Sequence, residues 1–338
     1  MPEDSKKVNN PIGETGRRDA DVERPLVSIV TPAYNQSAYL RETIESVLAQ
    51  DYPRIEHIVI DDGSTDDTPS VLSEYTGRVE WERHDNMGQT PTINKGWRRS
   101  KGEIVTWLNS DDTLLPGAVS KAVAYLQEHP ESGIVFGDSM FTTEDGTPIE
   151  KSKSPGSFFD YEKFVVECEN PIAQPSAFIR RSVVEDVGDL DPFYYYFMDW
   201  DFWLKAGASH PVDYIPELLS TYRLHSESKT VAQSAKAAPE LERMYRAYFA
   251  LDSLPDAVRR HKSRAFANMY FTSGGYYIKG GDKASAAKCA LKALRAYPAL
   301  LFDAGMLHKF IYCLFGERRI YQGSREIYRR TRTIAAGR

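Results

Sequence analysis

Short apolar runs alternate, along the first 140 residues, with stretches in which apolar residues recur every three or four positions. The apolar runs have the length and β-branched content of buried strands, while the spacing of Leu40, Ile44 and Val47 is helical. The strand-like runs cover residues 25–31, 55–60, 79–83, 104–108 and 133–137. This alternation predicts an α/β fold with a mostly parallel sheet sandwiched by helices.

The same pattern divides the chain into three parts. Residues 1–24 are polar and charged, which predicts a disordered leader. Residues 25–230 carry the strands and helices of the α/β domain. Residues 231–338 have helical periodicity alone and predict a C-terminal α-helical extension.

The strand at 104–108 ends abruptly at Asn109 and at two adjacent carboxylates, Asp111 and Asp112. In open α/β sheets, ligands bind beyond the carboxyl ends of the strands. Adjacent carboxylates repel each other unless a cation or hydrogen-bond donors compensate, and a hard divalent ion takes oxygen ligands and bridges to a substrate phosphate. We therefore predict a metal site here. The alternative is that both residues only cap the helix that begins near Pro116.

A second acidic cluster, which includes Asp61 and Asp62, follows the strand at 55–60. The turn after the first strand reads TPAYN and lacks the glycines of a dinucleotide-binding fingerprint, and the chain has no GxxxxGK[ST] loop. A nucleotide bound at this sheet therefore needs a metal to neutralise its phosphates.

A polar turn with two glycines lies at residues 85–96 and leads into a helix. Helix N-termini and lysine side chains both favour phosphate or sugar oxygens, which makes this turn a candidate binding segment. The alternative is a turn without a ligand.

Two aspartates, Asp199 and Asp201, lie within the aromatic run 194–204. Burial against aromatic rings raises the pKa of a carboxylate and suits it to accept a proton near neutral pH. The alternative is that they cap a helix at 200–206. His225, which follows a strand at 217–223, is either a metal ligand or a structural histidine.

The composition indicates which kinds of partner and which cellular compartment to expect. The 42 basic and 48 acidic residues give a net charge of −6, which does not favour nucleic acid as a partner. The three widely spaced cysteines favour buried thiols in a reducing compartment. Since no run of about 18 uncharged apolar residues occurs, we expect no membrane span and a cytoplasmic location.

The C-terminal segment pairs an apolar stretch, 300–315, with an arginine-rich stretch, 318–332. Such a pair predicts peripheral contact with an anionic membrane surface, at the inner face of the cell membrane. The alternative is a packed helix with a solvated basic end.

Together, these segments resemble the inverting family 2 glycosyltransferases of the GT-A fold. The resemblance covers about residues 25–230 and rests on motifs in a fixed order: TPAYN, IDDGSTD, GQTPTINKG, EIVTWLNSDD, MDWDFWLKAG and YRLH. The combination of the third and fourth motifs resembles the subgroup that builds O-antigen and other surface polysaccharides.

The resemblance implies which residues bind the donor. Asp62, together with Asp61, would accept the imide N–H of a uracil or thymine base. Pro32 and Tyr34 would shape the floor of the base pocket. The other implied donor-binding positions are Gly88, Gln89, Asn94, Lys95, Asn109 and Asp111.

The resemblance also implies a metal and a catalytic base. Asn109-Ser110-Asp111 stands where the family's metal-binding motif lies, so Asp111 and Asp112 would hold Mg²⁺ or Mn²⁺ and the ribose. His225 matches a position that contacts the diphosphate or the metal. Asp199 aligns with the catalytic base.

The function implied is a metal-dependent, inverting transfer from a UDP- or TDP-sugar donor to a hydroxyl of a glycan or polyprenyl-linked acceptor. A sugar nucleotidyltransferase is the first alternative, although it usually has a glycine- and lysine-rich first loop. A non-catalytic sugar-binding domain is the second. The four carboxylates Asp62, Asp111, Asp112 and Asp199 argue against it, because a binding domain has no need of so many costly charges.

Overall fold

The predicted strands join one sheet in the computed structural model, which describes residues 24–152, 155–225 and 234–316. The sheet has nine strands in these ranges. They are β1 (Val27–Ala33), β2 (Ile55–Asp61), β3 (Glu80–Arg83), β4 (Ile104–Trp107), β5 (Thr113–Leu114), β6 (Ile134–Thr142), β7 (Pro148–Lys151), β8 (Phe178–Arg180) and β9 (Val212–Arg223).

The strand order creates a crevice at one edge of the sheet. The order is β3-β2-β1-β4-β8-β6-β9-β5, with β7 beside β6. Strands β3, β2, β1 and β4 are parallel, β8 is antiparallel to both β4 and β6, and β6 and β9 are again parallel. The chain order reverses between β1 and β4, and ligands of α/β sheets bind at such a switch point.

Helices cover both faces of this sheet and follow it at the C-terminus. The first seven are α1 (Ser37–Leu48), α2 (Thr68–Glu74), α3 (Gln89–Arg99), α4 (Ala118–Glu128), α5 (Tyr161–Glu167), α6 (Arg181–Val187) and α7 (Met198–Gly207). The C-terminal helices are α8 (Ser234–Tyr248), α9 (Asp256–Arg259), α10 (Lys262–Lys279), α11 (Lys283–Ala296) and α12 (Ala304–Phe315). The predicted fold class, an α/β sheet with a C-terminal helical extension, is confirmed.

Helices pack closely against the inner strand β1 of the sheet. All seven residues of β1 are buried, as expected for a strand covered on both faces. A Cβ atom at Gly96 of α3 would lie only 2.4 Å from Cγ1 of Val30, so glycine lets this helix approach β1 closely. On the same side, the indole of Trp107 stacks on that of Trp203 of α7 at 5.7 Å.

The C-terminal helices share this core. One continuous cluster of buried apolar residues extends from Val30 to Cys313. The hydroxyl of Tyr245 in α8 donates to the carbonyl oxygen of Val165 in α5 at 2.9 Å. The described part of the extension is therefore packed against the α/β domain through a shared apolar core.

The last described helix is one half of the predicted membrane-surface segment. Helix α12 buries Met306 and Cys313, and none of the helices in the described ranges has both the length and the apolarity needed to cross a bilayer. The basic stretch 318–332 lies outside the described residues, as does nearly all of the leader 1–24. Peripheral membrane contact stays a prediction.

One buried histidine makes the stability of the sheet depend on pH. His57 of β2 lies with Nε2 3.0 Å from Oγ1 of Thr31, and its burial lowers the pKa of the imidazole to about 3. In the unfolded chain the ring binds a proton near its ordinary pKa of about 6.5. Below that pH the unfolded state binds a proton that the folded state excludes, so this contribution to stability is complete above about pH 6.5 and is lost as the pH falls.

We expect His57→Gln to reduce the loss of stability between pH 7 and pH 5 by about 2 kcal/mol relative to the wild type. Urea unfolding at both pH values measures this difference. The matched control is His129→Gln, which removes a partly exposed histidine beside Glu131, after α4 and outside the sheet. Equal losses in His57→Gln and the wild type would contradict the assignment.

Candidate active site

The carboxyl ends of β1, β2 and β4 and the start of α7 surround a cavity of about 600 Å³. The side chains around it come from sequence positions as far apart as 32 and 225. The structure places nine predicted site residues on its wall: Pro32, Tyr34, Asp62, Gln89, Asn109, Asp111, Asp112, Asp199 and His225.

Asp111 and His225 face each other in this cavity. Oδ2 of Asp111 lies 2.9 Å from Nε2 of His225, and the imidazole packs on the ring of Tyr39 at 5.2 Å. The separation is close to the distance of about 3 Å between neighbouring ligands of an octahedral ion with bonds of about 2.1 Å. Within the described residues no three acidic, cysteine or histidine side chains converge as a metal cage. Since Mg²⁺ is usually held by one or two protein ligands plus substrate phosphates, this pair fits a divalent ion bound together with a donor.

Asp112 has a different environment from Asp111. It is only 1% exposed; its Oδ1 accepts the backbone N–H of Arg223 at 2.9 Å, and its Oδ2 accepts from Nδ2 of Asn109 at 3.1 Å. Desolvation, and next the charge of Asp111, raise the pKa of Asp112 well above its ordinary value. Asp112 thus connects the end of β4 to the end of β9 by hydrogen bonds. Because both of its oxygens accept from protein donors, the geometry favours Asp111 over Asp112 as the metal ligand.

The alternative that these aspartates cap the following helix does not describe the structure. Helix α4 begins after Gly117, a residue with φ of +78°, and no side chain caps it. The two carboxylates bond to β9 and His225 instead.

A chain of amide side chains connects the acidic pair to neighbouring elements. Nε2 of Gln89 donates to Oδ1 of Asn109 at 2.8 Å, and Nδ2 of Asn109 also donates to Oε1 of Gln174 at 3.2 Å. Nε2 of Gln174 donates to the carbonyl oxygen of Trp107 at 2.7 Å. Asn109 therefore links α3 to a short 3₁₀ helix at Gln174–Ser176.

Asp62 orders the turn that begins α3. Its Oδ1 accepts the backbone N–H of Met87 at 2.7 Å, and its Oδ2 accepts that of Gly88 at 2.9 Å. Gly88 has φ of +92°, a conformation that favours glycine. Its carbonyl oxygen accepts the backbone N–H of Thr92 in the first turn of α3. A carboxylate oxygen can accept more than one hydrogen bond, so Asp62 retains capacity for a ligand in the cavity.

Four predicted donor-binding residues lie away from the cavity wall: Gly88, whose backbone Asp62 binds, and Asp61, Asn94 and Lys95. Asp61 is fully buried, and its Oδ1 accepts the backbone N–H of Ser64 at 2.9 Å. The amide of Asn94 both donates to and accepts from the backbone of Leu190, at 2.7 and 3.1 Å. Nζ of Lys95 pairs with Glu82 at 3.0 Å.

These contacts change the interpretation of Asp61, Asn94 and Lys95. Asn94 and Lys95 line a separate depression between α3 and the segment 189–192, not the crevice at the strand ends. Their polar atoms bind protein groups because α3 turns this face away from the end of β4. These contacts do not favour Asp61, Asn94 and Lys95 as residues that bind the donor.

The two aspartates of helix α7, Asp199 and Asp201, have different surroundings. The helix begins at Met198, two residues earlier than predicted, and no side chain of its own caps it, so the capping alternative does not hold. Asp199 lines the cavity, whereas Asp201 is buried and its Oδ2 lies 2.6 Å from Nζ of Lys205. Burial raises the pKa of Asp201, and Lys205 opposes that shift.

Arg223 is a site residue that the sequence analysis missed. Its side chain is buried, with Nε donating to the carbonyl oxygen of Asp111 at 3.0 Å and Nη2 pairing with Oε2 of Glu42 at 2.5 Å. Its guanidinium lies 5.0 Å from the ring centre of Tyr39. Arg223 lies inside the YRLH motif. Its partners are up to 181 positions away in the sequence, so the residues around Arg223 do not indicate these contacts.

Comparisons with known proteins show which family and which solved structures the chain is similar to. The model for "Glycosyl transferase family 2" matches residues 28–188. Among curated relatives, TuaG of Bacillus subtilis, which carries the name of a teichuronic acid biosynthesis glycosyltransferase, is 35% identical over 133 residues, or 38% of this chain and 52% of TuaG. The matched regions span about a third to two thirds of the length of the relatives compared.

Solved structures share the fold. TarS 1-349 of S. aureus, in complex with UDP-GlcNAc, has a TM-score of 0.64 at 15% identity and matches 89% of this chain and 92% of its own. The mannosyltransferase PcManGT from Pyrobaculum calidifontis, in complex with GDP-Man and Mn²⁺, has a TM-score of 0.56 at 19% identity over 88% of this chain and 89% of its own. Motif order, sheet topology and these matches lead to one conclusion: residues 28–188 match glycosyltransferase family 2, and the chain has the fold of the solved glycosyltransferases to which it is similar.

Proposed function

We propose that this protein transfers a sugar from a UDP- or TDP-sugar to a hydroxyl of a glycan or lipid-linked acceptor, with inversion at the anomeric carbon. The observation that carries the proposal is the convergence of Asp62, Asp111 and Asp199 in one cavity. These carboxylates lie on three separate elements, and burying acidic groups together costs free energy that a ligand can recover.

The nucleoside end of the donor is assigned to the ends of β1 and β2. Asp62 would accept an imide N–H from the base, beside Pro32 and Tyr34. The turn held by Asp62 supplies the start of α3, whose Gln89 also lines the cavity. The UDP-GlcNAc complex of the similar TarS structure supports a nucleotide sugar as the class of donor.

The diphosphate is assigned to Asp111 and His225, the pair that fits a divalent ion. Mg²⁺ or Mn²⁺ held there would stabilise the negative charge that develops on the departing nucleoside diphosphate. The backbone N–H of Arg223 and the side-chain amide of Asn109 both donate to the carboxylate of the adjacent Asp112, which holds the acidic turn in place.

Asp199 is assigned as the general base. Its carboxylate accepts the proton of the acceptor hydroxyl, and the oxygen then attacks the anomeric carbon from the face opposite the nucleotide. The bond between the anomeric carbon and the diphosphate oxygen breaks in the same displacement, which inverts the configuration.

The acceptor is assigned to the side of the cavity formed by the aromatic segment before Asp199. Tyr195 and Tyr196 both line the cavity, and Tyr195 is 52% exposed. An exposed aromatic ring offers an apolar face with a polar edge, and a sugar ring has complementary apolar C–H faces. The name of the relative TuaG supports a surface polysaccharide as the acceptor class.

A panel of UDP-, TDP- and GDP-sugars, assayed with and without Mn²⁺, tests the proposal. We expect release of nucleoside diphosphate from a UDP- or TDP-sugar, at a rate that increases with a glycan acceptor and with Mn²⁺. Donor binding without release would favour a non-catalytic sugar-binding domain. Formation of a nucleotide sugar from a nucleoside triphosphate and a sugar phosphate would favour a nucleotidyltransferase.

A further inference from the structure

A carboxylate from the C-terminal helices binds the start of the helix that carries Asp199. Oε1 of Glu240 in α8 accepts the backbone N–H groups of Tyr196 at 2.6 Å and of Phe197 at 2.9 Å. Phe197 is the N-cap residue of α7. N–H groups at a helix start lack partners within the helix and favour negative charge, so this contact satisfies two groups that α7 cannot satisfy itself.

Packing fixes the position of this carboxylate. Glu240 is 6% exposed, and its neighbours Ala237, Leu241 and Met244 are buried in the core that joins α8 to the α/β domain. A hydrogen bond to a carboxylate is shorter and stronger than one to a neutral acceptor, and the shorter of the two contacts measures 2.6 Å. Glu240 therefore connects α8 directly to the start of α7.

A second C-terminal residue lies in the same place. The ring of Tyr276 in α10 packs on that of Phe197 at 6.0 Å. Burial raises the pKa of the Tyr276 hydroxyl, and the charges of Cys168 and Asp199 add to the shift. Residues of α8 and α10 thus both contact the start of α7.

We propose that Glu240 is a positioning residue for the transfer reaction, through which the C-terminal helices hold Asp199 at the acceptor hydroxyl. This inference rests on the proposed function. The segment from Tyr195 to Asp199 forms one wall of the cavity, and Glu240 binds the backbone at the middle of that wall. A displacement of about 1 Å in a reacting group can cost about 100-fold in rate, so loss of this anchor reduces the rate of transfer.

The test compares Glu240→Ala and Glu240→Gln with the wild type. We expect Glu240→Ala to lower kcat by about 100-fold while the Kd of the donor stays within about twofold, because the donor contacts lie on other elements. Glu240→Gln should recover most of kcat, since both hydrogen bonds end on one oxygen that the amide also provides. In Glu240→Ala, amide hydrogen exchange at residues 195–199 should become faster.

The matched control is Glu242→Ala on the same helix. Glu242 binds Arg246, Lys292 and Tyr270 within the C-terminal helices, so its loss perturbs the extension without touching α7. It should retain wild-type kcat.

Three results would overturn the proposal: an unchanged kcat in Glu240→Ala, an equal loss in Glu242→Ala, or donor binding weakened as much as kcat. A wild-type protein that turns over no donor overturns the proposed function itself, and this role with it. An active wild type with an equally active Glu240→Ala overturns only the positioning role.

Discussion

Replacing Asp199 by Asn is expected to lower kcat for sugar transfer about a thousand-fold while leaving donor binding unchanged. The amide has the size of the carboxylate but cannot accept the proton of the acceptor hydroxyl, and a positioned general base contributes roughly 10²–10⁴-fold in rate. Steady-state kinetics gives kcat, and calorimetry with a UDP-sugar and Mn²⁺ gives the Kd.

Asp201→Asn is the matched control, because the two aspartates occupy the same turn of α7. Asp201 is turned into the protein and pairs with Lys205, so its amide variant should keep kcat within a few-fold of the wild type. Near-normal turnover by Asp199→Asn, or an inactive Asp201→Asn beside it, would show that the base is wrongly assigned.

The parallel part of the sheet could be predicted because each strand is marked by residues that are neighbours in the sequence. Parallel strands covered on both faces are mostly apolar, and the polar residues that follow them mark their carboxyl ends. Asp62 and Asp111 could therefore be placed at one edge of the sheet from the sequence, whereas Asp199 lies in α7 and was assigned only through the resemblance to the family. The antiparallel insertion of β8, a strand of three residues, has no such signature, since a short apolar run does not reveal its direction.

The roles of individual polar residues were less predictable. The motif containing Asn94 and Lys95 indicates a binding turn, yet a helix face is fixed by packing that the motif does not record. Gln174, Arg223 and Glu240 bind groups 43 or more positions away, and each is an ordinary polar residue in its local sequence. Long-range hydrogen bonds of this kind are visible only after the chain is folded.

The acidic pair shows why adjacent residues of one motif need separate tests. Asp111 faces His225 in the cavity, whereas Asp112 accepts two hydrogen bonds from the protein. If the two shared a single role, their amide variants would behave alike. The structure predicts that they differ in how the loss of donor affinity depends on the metal.

Replacing Asp111 by Asn is expected to remove the gain in donor affinity that Mn²⁺ provides, with kcat/KM falling about 100-fold as the charge on the departing diphosphate loses its stabilisation. Calorimetric titration of UDP with and without Mn²⁺ measures the effect directly. Affinity without Mn²⁺ should stay near the wild-type value, because Pro32, Tyr34 and Asp62 are unchanged. Asp51→Asn, which changes an exposed carboxylate bonded to Ser120, should leave both affinities unaltered.

Asp112→Asn separates metal binding from the architecture of the turn. Asp112 holds the backbone of Arg223 and the side chain of Asn109, and an amide can accept only one of these two hydrogen bonds. Its variant should therefore weaken UDP binding by a similar factor with and without Mn²⁺, and lower the melting temperature as well. The opposite pattern, a purely metal-dependent loss in Asp112→Asn and none in Asp111→Asn, would move the metal from the Asp111 and His225 pair to Asp112.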